Sequence, residues 1–111
     1  VQAFGSRAVR RRHEVDYHFV PQHGRYAGTR QLAAAVRESA PDVVHVNGLD
    51  DPLRLCALAR ALPAPPALVV QDHASRPPGP RSLRWPLLRL AGRRVDGWLF
   101  TSPAQAEPWM H

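Results

Sequence analysis

The segment PDVVHVNGLDD, residues 41–51, decides the fold of this chain. A Pro-Asp turn signal precedes an apolar, β-branched run at residues 43–46, which is too short for a helix and shows no solvent-facing alternation. We therefore predict a strand buried on both faces, as is typical of parallel α/β sheets. Ligands bind such sheets beyond the carboxyl ends of the strands, so Asn47, Gly48 and Leu49 are the first candidates for a functional site.

Length and cysteine content limit the class of protein. The 111 residues allow one domain at most and are few for a complete doubly wound enzyme, so we expect a piece of a longer protein. The single cysteine, Cys56, cannot form an internal disulfide and is predicted to be a buried, inert thiol. No apolar run reaches the roughly 20 residues that span a bilayer, and no signal peptide opens the chain. We expect a cytoplasmic protein, with peripheral contact to the inner face of the membrane as an open alternative.

The formal net charge of +6 ordinarily indicates an anionic partner, such as nucleic acid, a membrane or a phosphorylated ligand. All 15 basic residues are arginines, however, and lysine and isoleucine are absent while alanine and proline are abundant. A GC-rich bacterial genome would produce this bias by itself. Two interpretations therefore stay open, namely solvated arginines of compositional origin and a true anion-binding surface.

Hydrophobic periodicity predicts alternating strands and helices. The predicted helices cover residues 1–12, 29–39, 52–62 and 83–91, and the predicted strands cover residues 13–20, 43–46, 67–71 and 98–100. Caps are predicted at Thr29 and at Asp50 or Asp51. Another helix would begin at Ala104, but we expect the chain to end at His111 before it forms. The buried face of the helix at 83–91 is predicted from Leu83, Leu87, Leu90 and Ala91. The order predicts one parallel sheet with right-handed crossovers, flanked by helices.

Polar residues follow three of these strands. They are Asn47, Gly48, Asp72, His73, Thr101 and Ser102. Because the carboxyl ends of parallel strands share one edge of a sheet, we predict that these residues converge there. The alternative for each of them is a strand-terminating turn or a helix cap. No metal site is predicted, since His13, His18 and His23 have no cysteine or carboxylate at a ligand spacing.

Four segments in this order resemble the amino-terminal half of family 4 retaining glycosyltransferases of the two-domain GT-B fold. They are RRHEVDYHFV (11–20), PDVVHVNG (41–48), VVQDHASRP (69–77) and DGWLFTSPAQAEPW (96–109). The resemblance covers nearly the whole chain and implies a Rossmann-like domain, truncated at both ends, on the acceptor side of the enzyme. It also implies sugar transfer from a nucleotide-sugar donor to an acceptor with retention, without an obligatory metal or a resident cofactor.

The resemblance also implies roles for individual residues. His73 matches the family histidine that reaches the donor sugar or the acceptor at the reaction centre, and we take it as the catalytic candidate. An imidazole there can donate to a sugar hydroxyl or orient the leaving phosphate, with Asp72 beside it to tune its charge. Asn47 and Gly48 match the loop that faces the acceptor, since glycine permits close approach and an amide both donates and accepts.

Two elements of the family pattern are absent from these residues, namely a first strand with a glycine-rich turn and a second domain that contacts the donor. We therefore predict that the chain alone has no transferase activity. Three alternatives stay open. One is a non-catalytic α/β ligand-binding module, since fold does not fix function. Another, favoured by charge alone, is a nucleic-acid-binding domain, although no binding motif supports a nucleic-acid partner. The last complements the transferase: basic helices would dock the enzyme on an anionic membrane.

Overall fold

The computed structural model describes residues 8–21, 25–48, 51–73 and 79–110. The strands are β1 (Ala8–Arg12), β2 (Val15–Phe19), β3 (Val43–Asn47), β4 (Ala67–Asp72) and β5 (Gly97–Phe100). The helices are α1 (Arg25–Ser39), α2 (Pro52–Ala61), α3 (Arg84–Gly92) and α4 (Pro103–Ala106), and a 3₁₀ turn, Glu107–Trp109, follows α4. The expectations for residues 1–7, for His23, Leu49 and Asp50, and for most of the loop after His73 lie outside the described residues.

Strands β3, β4 and β5 form a parallel sheet in which β4 is central. Val46 pairs with Val70, and Val70 pairs with Trp98, so these side chains share one face of the sheet. That face packs against α1, α2 and α3 through the buried side chains Ala33, Leu55, Leu58, Leu88 and Ala91. The predicted parallel α/β sheet flanked by helices is confirmed.

The predicted burial of the strand at residues 43–46 on both faces is wrong. β3 lies at the edge of the described sheet, and its side chains alternate between exposed and half-buried positions. Val43 is 57% exposed on the face opposite the helices, as is Leu99, at 48%, on β5. A run of β-branched residues favours a strand, but only the elements packed on each face decide how much of it is buried.

The predicted helix at residues 1–12 is wrong over residues 8–12. These residues form β1, which pairs antiparallel with β2 in a separate two-stranded sheet. His13 and Glu14, with φ of 50° and 64°, make the connecting turn. The strand predicted at 13–20 therefore exists, but it lies in this hairpin and not in the parallel sheet. The consecutive arginines Arg10, Arg11 and Arg12 suit a strand exposed on both faces as well as a helix end, so the basic run does not distinguish the two.

Helix α1 begins earlier than predicted. Its first residue is Arg25, four residues before the predicted cap Thr29. Asp51 caps α2 as predicted, since its side chain accepts from the Arg54 backbone N–H at 3.1 Å, and Pro52 occupies the first turn. The expectation that no helix forms between Ala104 and His111 is wrong, since α4 begins at Pro103 and the 3₁₀ turn Glu107–Trp109 follows it.

The buried face of α3 was predicted wrongly in part. Leu88 and Ala91 are buried, whereas Leu83 is 86% and Leu90 is 47% exposed. Since each position turns a helix by about 100°, a core face that contains Leu88 turns Leu83 and Leu90 toward solvent. Leu83 and Leu90 thus lie on the outside of the domain, while Leu87 is half-buried against the core.

Candidate functional site

The carboxyl ends of β3 and β4 are joined by the backbone of Gly48. Asn47 pairs with Gln71, and the Gly48 N–H donates to the Gln71 carbonyl at 2.8 Å. Gly48 has φ of 98°, a left-handed value that glycine adopts without a Cβ penalty. The chain leaves β3 here in a direction that keeps Asn47 and Gly48 beside the end of β4, as predicted.

Asp72, the last residue of β4, is the most unusual polar side chain of this edge. It is only 4% exposed, and its Oδ1 has no hydrogen-bond partner among the described residues. Asp72 pairs with Phe100 of β5, so the carboxylate lies on the helix-covered face between the ends of three strands. Because an unsatisfied buried carboxylate oxygen is costly, this oxygen is suited to accept a hydrogen bond from a ligand.

His73 follows directly and is exposed to solvent at the end of β4. The structure therefore places the imidazole where a ligand at this edge can reach it. A neutral or protonated imidazole offers at least one N–H donor.

Thr101 and Ser102 follow β5 at the same edge. Their surroundings favour the alternative that they form a strand-terminating turn and a helix cap. The Thr101 hydroxyl lies 2.6 Å from Gln105 Oε1, and the Thr101 backbone N–H donates to the same oxygen at 3.1 Å. Ser102 occupies the N-cap position of α4, with no side-chain capping bond. Gln105 thus fixes the loop, and the polar groups of Thr101 are engaged within the protein.

A groove of about 290 Å³ adjoins the end of β3. Its polar lining residues are Asn47, Gly48, Asp51 and Arg54, and its apolar lining residues are Leu32, Val46, Leu55 and Leu58. Arg54, in the first turn of α2, was not predicted as a site residue. Its position three residues after the predicted cap Asp51 was the available signal, since the helix that follows a parallel strand begins at the ligand-binding edge.

The structure thus brings Asn47, Gly48, Asp72 and His73 to one edge of the sheet, with Thr101 and Ser102 at the end of the neighbouring strand. No group of three or more His, Cys, Asp or Glu side chains suited to a metal ion occurs among the described residues. Within the same part of the chain, no helix has the length and apolar character needed to cross a membrane.

The fold and this edge define an α/β protein with a candidate site at the carboxyl ends of parallel strands. The model of the family described as Glycosyltransferase Family 4 matches residues 2–111, and the chain belongs to that family. Its Rossmann-like fold and a glycosyltransferase role agree with the expectation from sequence. No curated protein and no solved structure matches the chain significantly.

Proposed function

We propose that this chain is the acceptor-side part of the amino-terminal domain of a glycosyltransferase that moves a sugar from a nucleotide-sugar donor to an acceptor with retention of configuration. Family membership supports the reaction class. The proposal places the site at the carboxyl edge of the β3-β4-β5 sheet, where ligands of open α/β sheets bind.

The unsatisfied Oδ1 of Asp72 is the observation that carries this placement. A carboxylate is an acceptor only, and the groups that sugars present in number are hydroxyl donors. A sugar hydroxyl that donates to Asp72 would satisfy the buried oxygen. The same hydroxyl-rich ligand would reach the exposed imidazole of His73, the next residue.

The groove beside Asn47 suits the acceptor. Its amide can donate to and accept from hydroxyl groups, while Gly48 permits close approach of the ligand to the backbone. Asp51 and Arg54 place one negative and one positive charge in the lining, and Leu55 and Leu58 supply an apolar wall. An acceptor with a polar head and an apolar portion would match this lining.

His73 is the proposed catalytic residue, in the role of a hydrogen-bond donor to the transferred sugar or to the leaving phosphate. Such a bond strengthens as negative charge develops on the phosphate, so it favours the transition state over the ground state. The proposal gives no role to a metal ion or a resident cofactor, and the nucleotide sugar acts as substrate. Thr101 and Ser102 shape the loop at the end of β5, through Gln105 for Thr101.

The donor is proposed to bind between this domain and a second α/β domain of the same enzyme. The 111 residues by themselves are therefore expected to be inactive, because donor contacts would be incomplete. Sugar transfer by this chain alone, with any nucleotide sugar, would contradict that part of the proposal.

The test is a transfer assay on the full-length enzyme with a panel of nucleotide sugars, comparing His73→Gln with His18→Gln. His18 is an exposed histidine on β2, in the separate hairpin, and is the matched control. We expect His73→Gln to lower kcat by about tenfold to a hundredfold, the effect of losing one hydrogen bond to a charged group. Equal kcat values for the two variants would contradict the role of His73.

Retention is tested separately by the anomeric configuration of the first product formed. NMR spectra of donor and product should show the same configuration at the transferred carbon. An inverted product would contradict retention without affecting the assignment of the site.

A further inference from the structure

The outer surface of α2 and α3, on the far side of the helix layer from the sheet, exposes large apolar side chains. Leu53 of α2 is 37% exposed, Leu90 of α3 is 47% exposed, and Leu83, just before α3, is 86% exposed. Single exposed leucines are ordinary on protein surfaces, but several that adjoin indicate an interaction site.

These leucines line two adjoining depressions. The first, of about 560 Å³, is lined by Leu53, Leu87 and Leu90 together with Cys56 and small residues of α2. The second shares Leu53 and Leu87 with the first and adds Leu83. The four leucines therefore form one continuous apolar strip across the surface of both helices.

Positive charge borders the strip. The exposed side chains of Arg30 on α1 and Arg60 on α2 line the first depression, in which no acidic residue takes part. Helices α2 and α3 contain no acidic residue, and the second depression is bordered by one acidic residue, Asp51, together with Arg84. We call the surface formed by Leu53, Leu83, Leu87, Leu90, Arg30 and Arg60 the leucine–arginine face.

The combination of charge and apolarity favours one kind of partner. A second copy of the chain would bring the arginines of two identical faces together, which is repulsive. Nucleic acid would satisfy the arginines, but leucines lack the π-faces on which bases stack. An anionic bilayer satisfies both, because its phosphates bind arginines and its acyl boundary takes up apolar side chains.

We propose that the leucine–arginine face docks this protein on the surface of an anionic phospholipid bilayer. The exposed leucines enter the boundary between headgroups and acyl chains, and Arg30 and Arg60 bind lipid phosphates. The face lies on the helix layer, while the groove beside Asn47 opens at the carboxyl edge of the sheet. Asp51 lines both this groove and the second depression, so the docked face adjoins the candidate site. The docking proposal holds whether or not the proposed transfer reaction is correct.

The experiment is vesicle co-sedimentation of the full chain, which needs no activity assay. One set of vesicles contains phosphatidylglycerol and phosphatidylcholine in equal parts, and the other contains phosphatidylcholine alone. We expect binding to the anionic set that weakens as salt is raised, and little binding to the neutral set. Equal binding to both sets would overturn the proposal.

Two double variants locate the surface. Arg30→Gln with Arg60→Gln should weaken binding to anionic vesicles by roughly tenfold or more, since each arginine near such a surface contributes about a factor of five. Arg10→Gln with Arg12→Gln removes the same charge from exposed positions of β1 and is the matched control. Equal loss of binding in the two variants would show that net charge alone binds the vesicles, and would overturn the proposal.

A third variant tests the leucines. Leu83→Gln with Leu90→Gln alters exposed side chains, so the thermal unfolding midpoint should stay close to that of the parent chain. Vesicle binding should fall severalfold, because the apolar insertion is lost. Unchanged binding would overturn insertion. Two further results would also overturn the proposal. If duplex DNA competes as strongly as vesicles do at equal phosphate concentration, the face binds nucleic acid. If the chain forms a dimer in solution that this variant disrupts, the face is a self-association surface.

Discussion

The guanidinium of Arg94 donates to the carboxylate of Asp96 at 2.8 Å while the same side chain donates to the backbone carbonyls of Leu62 and Pro66. Arg94 thus joins the end of α2 and the approach to β4 with the residues that lead into β5. Its side chain is only 16% exposed, so these bonds are partly shielded from water.

Arg94→Gln should therefore lower the free energy of unfolding by about 2 kcal/mol, because two carbonyls lose a charged donor. Urea unfolding followed by circular dichroism measures the change. The exposed neighbour Arg93 provides the control, since Arg93→Gln should shift the midpoint little. Equal midpoints for the two variants would show that the Arg94 contacts add no stability.

Ionised Asp96 stabilises the fold, so the free energy of unfolding should fall when acid pH protonates this residue. The pKa of Asp96 is lowered, first because the Leu68 backbone N–H donates to its carboxylate and then because the Arg94 side chain does. A carboxyl whose pKa is lower in the folded than in the unfolded chain stabilises the fold above its unfolded pKa, and this contribution is lost as pH falls through the folded pKa. Asp96→Asn should thus be less stable than the parent chain at pH 7.

The difference between the two proteins should shrink as pH falls below about 4, the unfolded value for an aspartate. Thermal unfolding midpoints measured from neutral to acid pH provide the test. A difference that stays constant over this range would show that ionisation of Asp96 has no part in stability.

Asp72→Asn should separate stability from function. The substitution keeps the shape of the side chain but removes a buried charge with an unsatisfied oxygen, so the unfolding midpoint should be unchanged or raised. Sugar transfer by the full-length enzyme should fall, because an amide is a weaker acceptor than a carboxylate for the proposed hydroxyl donor. A large loss of stability would instead assign Asp72 a structural role.

Cys56 should react slowly in the native protein. Its Sγ donates to the Leu87 carbonyl at 2.9 Å, and burial raises the pKa of the thiol above its ordinary value. Since only the thiolate is nucleophilic, a raised pKa lowers the reactive fraction at pH 8, and the rate should keep rising with pH beyond the ordinary thiol range. Mass spectrometry of iodoacetamide-treated protein, native and in urea, measures this. Equal rates in both conditions would contradict the burial of Cys56.

Several secondary-structure elements that are specified by short stretches of sequence, such as a helix cap or an apolar run, were predicted correctly. The Asp51 cap with Pro52 correctly placed the start of α2, and the apolar runs correctly placed β3, β4 and β5. Because parallel strands end at one edge, the predicted meeting of Asn47 with the end of β4 is also confirmed. The roles of these residues in transfer stay predictions.

The features that were predicted wrongly depend on contacts between distant segments. Exposure of Val43 depends on what covers the second face of the sheet, which no local pattern encodes. The direction of Leu83 and Leu90 depends on how α3 rests on α2, and their apolar character equally suits a core and an outer surface. Arg54 was missed although it follows the predicted cap Asp51 by three residues, because its importance comes from the groove that it lines.

The tryptophans of the chain, Trp85, Trp98 and Trp109, form a single aromatic cluster. The Trp109 ring lies 5.1 Å from that of Trp85 and 4.8 Å from that of Trp98, and 6.0 Å from Phe100, which pairs with Asp72. The tryptophan fluorescence of these 111 residues therefore originates from one place, close to the end of β5. Coupled indoles at such distances also give strong near-ultraviolet circular dichroism, so the protein carries a built-in optical reporter. A ligand that shifts the end of β5 will change the near-ultraviolet circular dichroism spectrum, so its binding can be measured without a label.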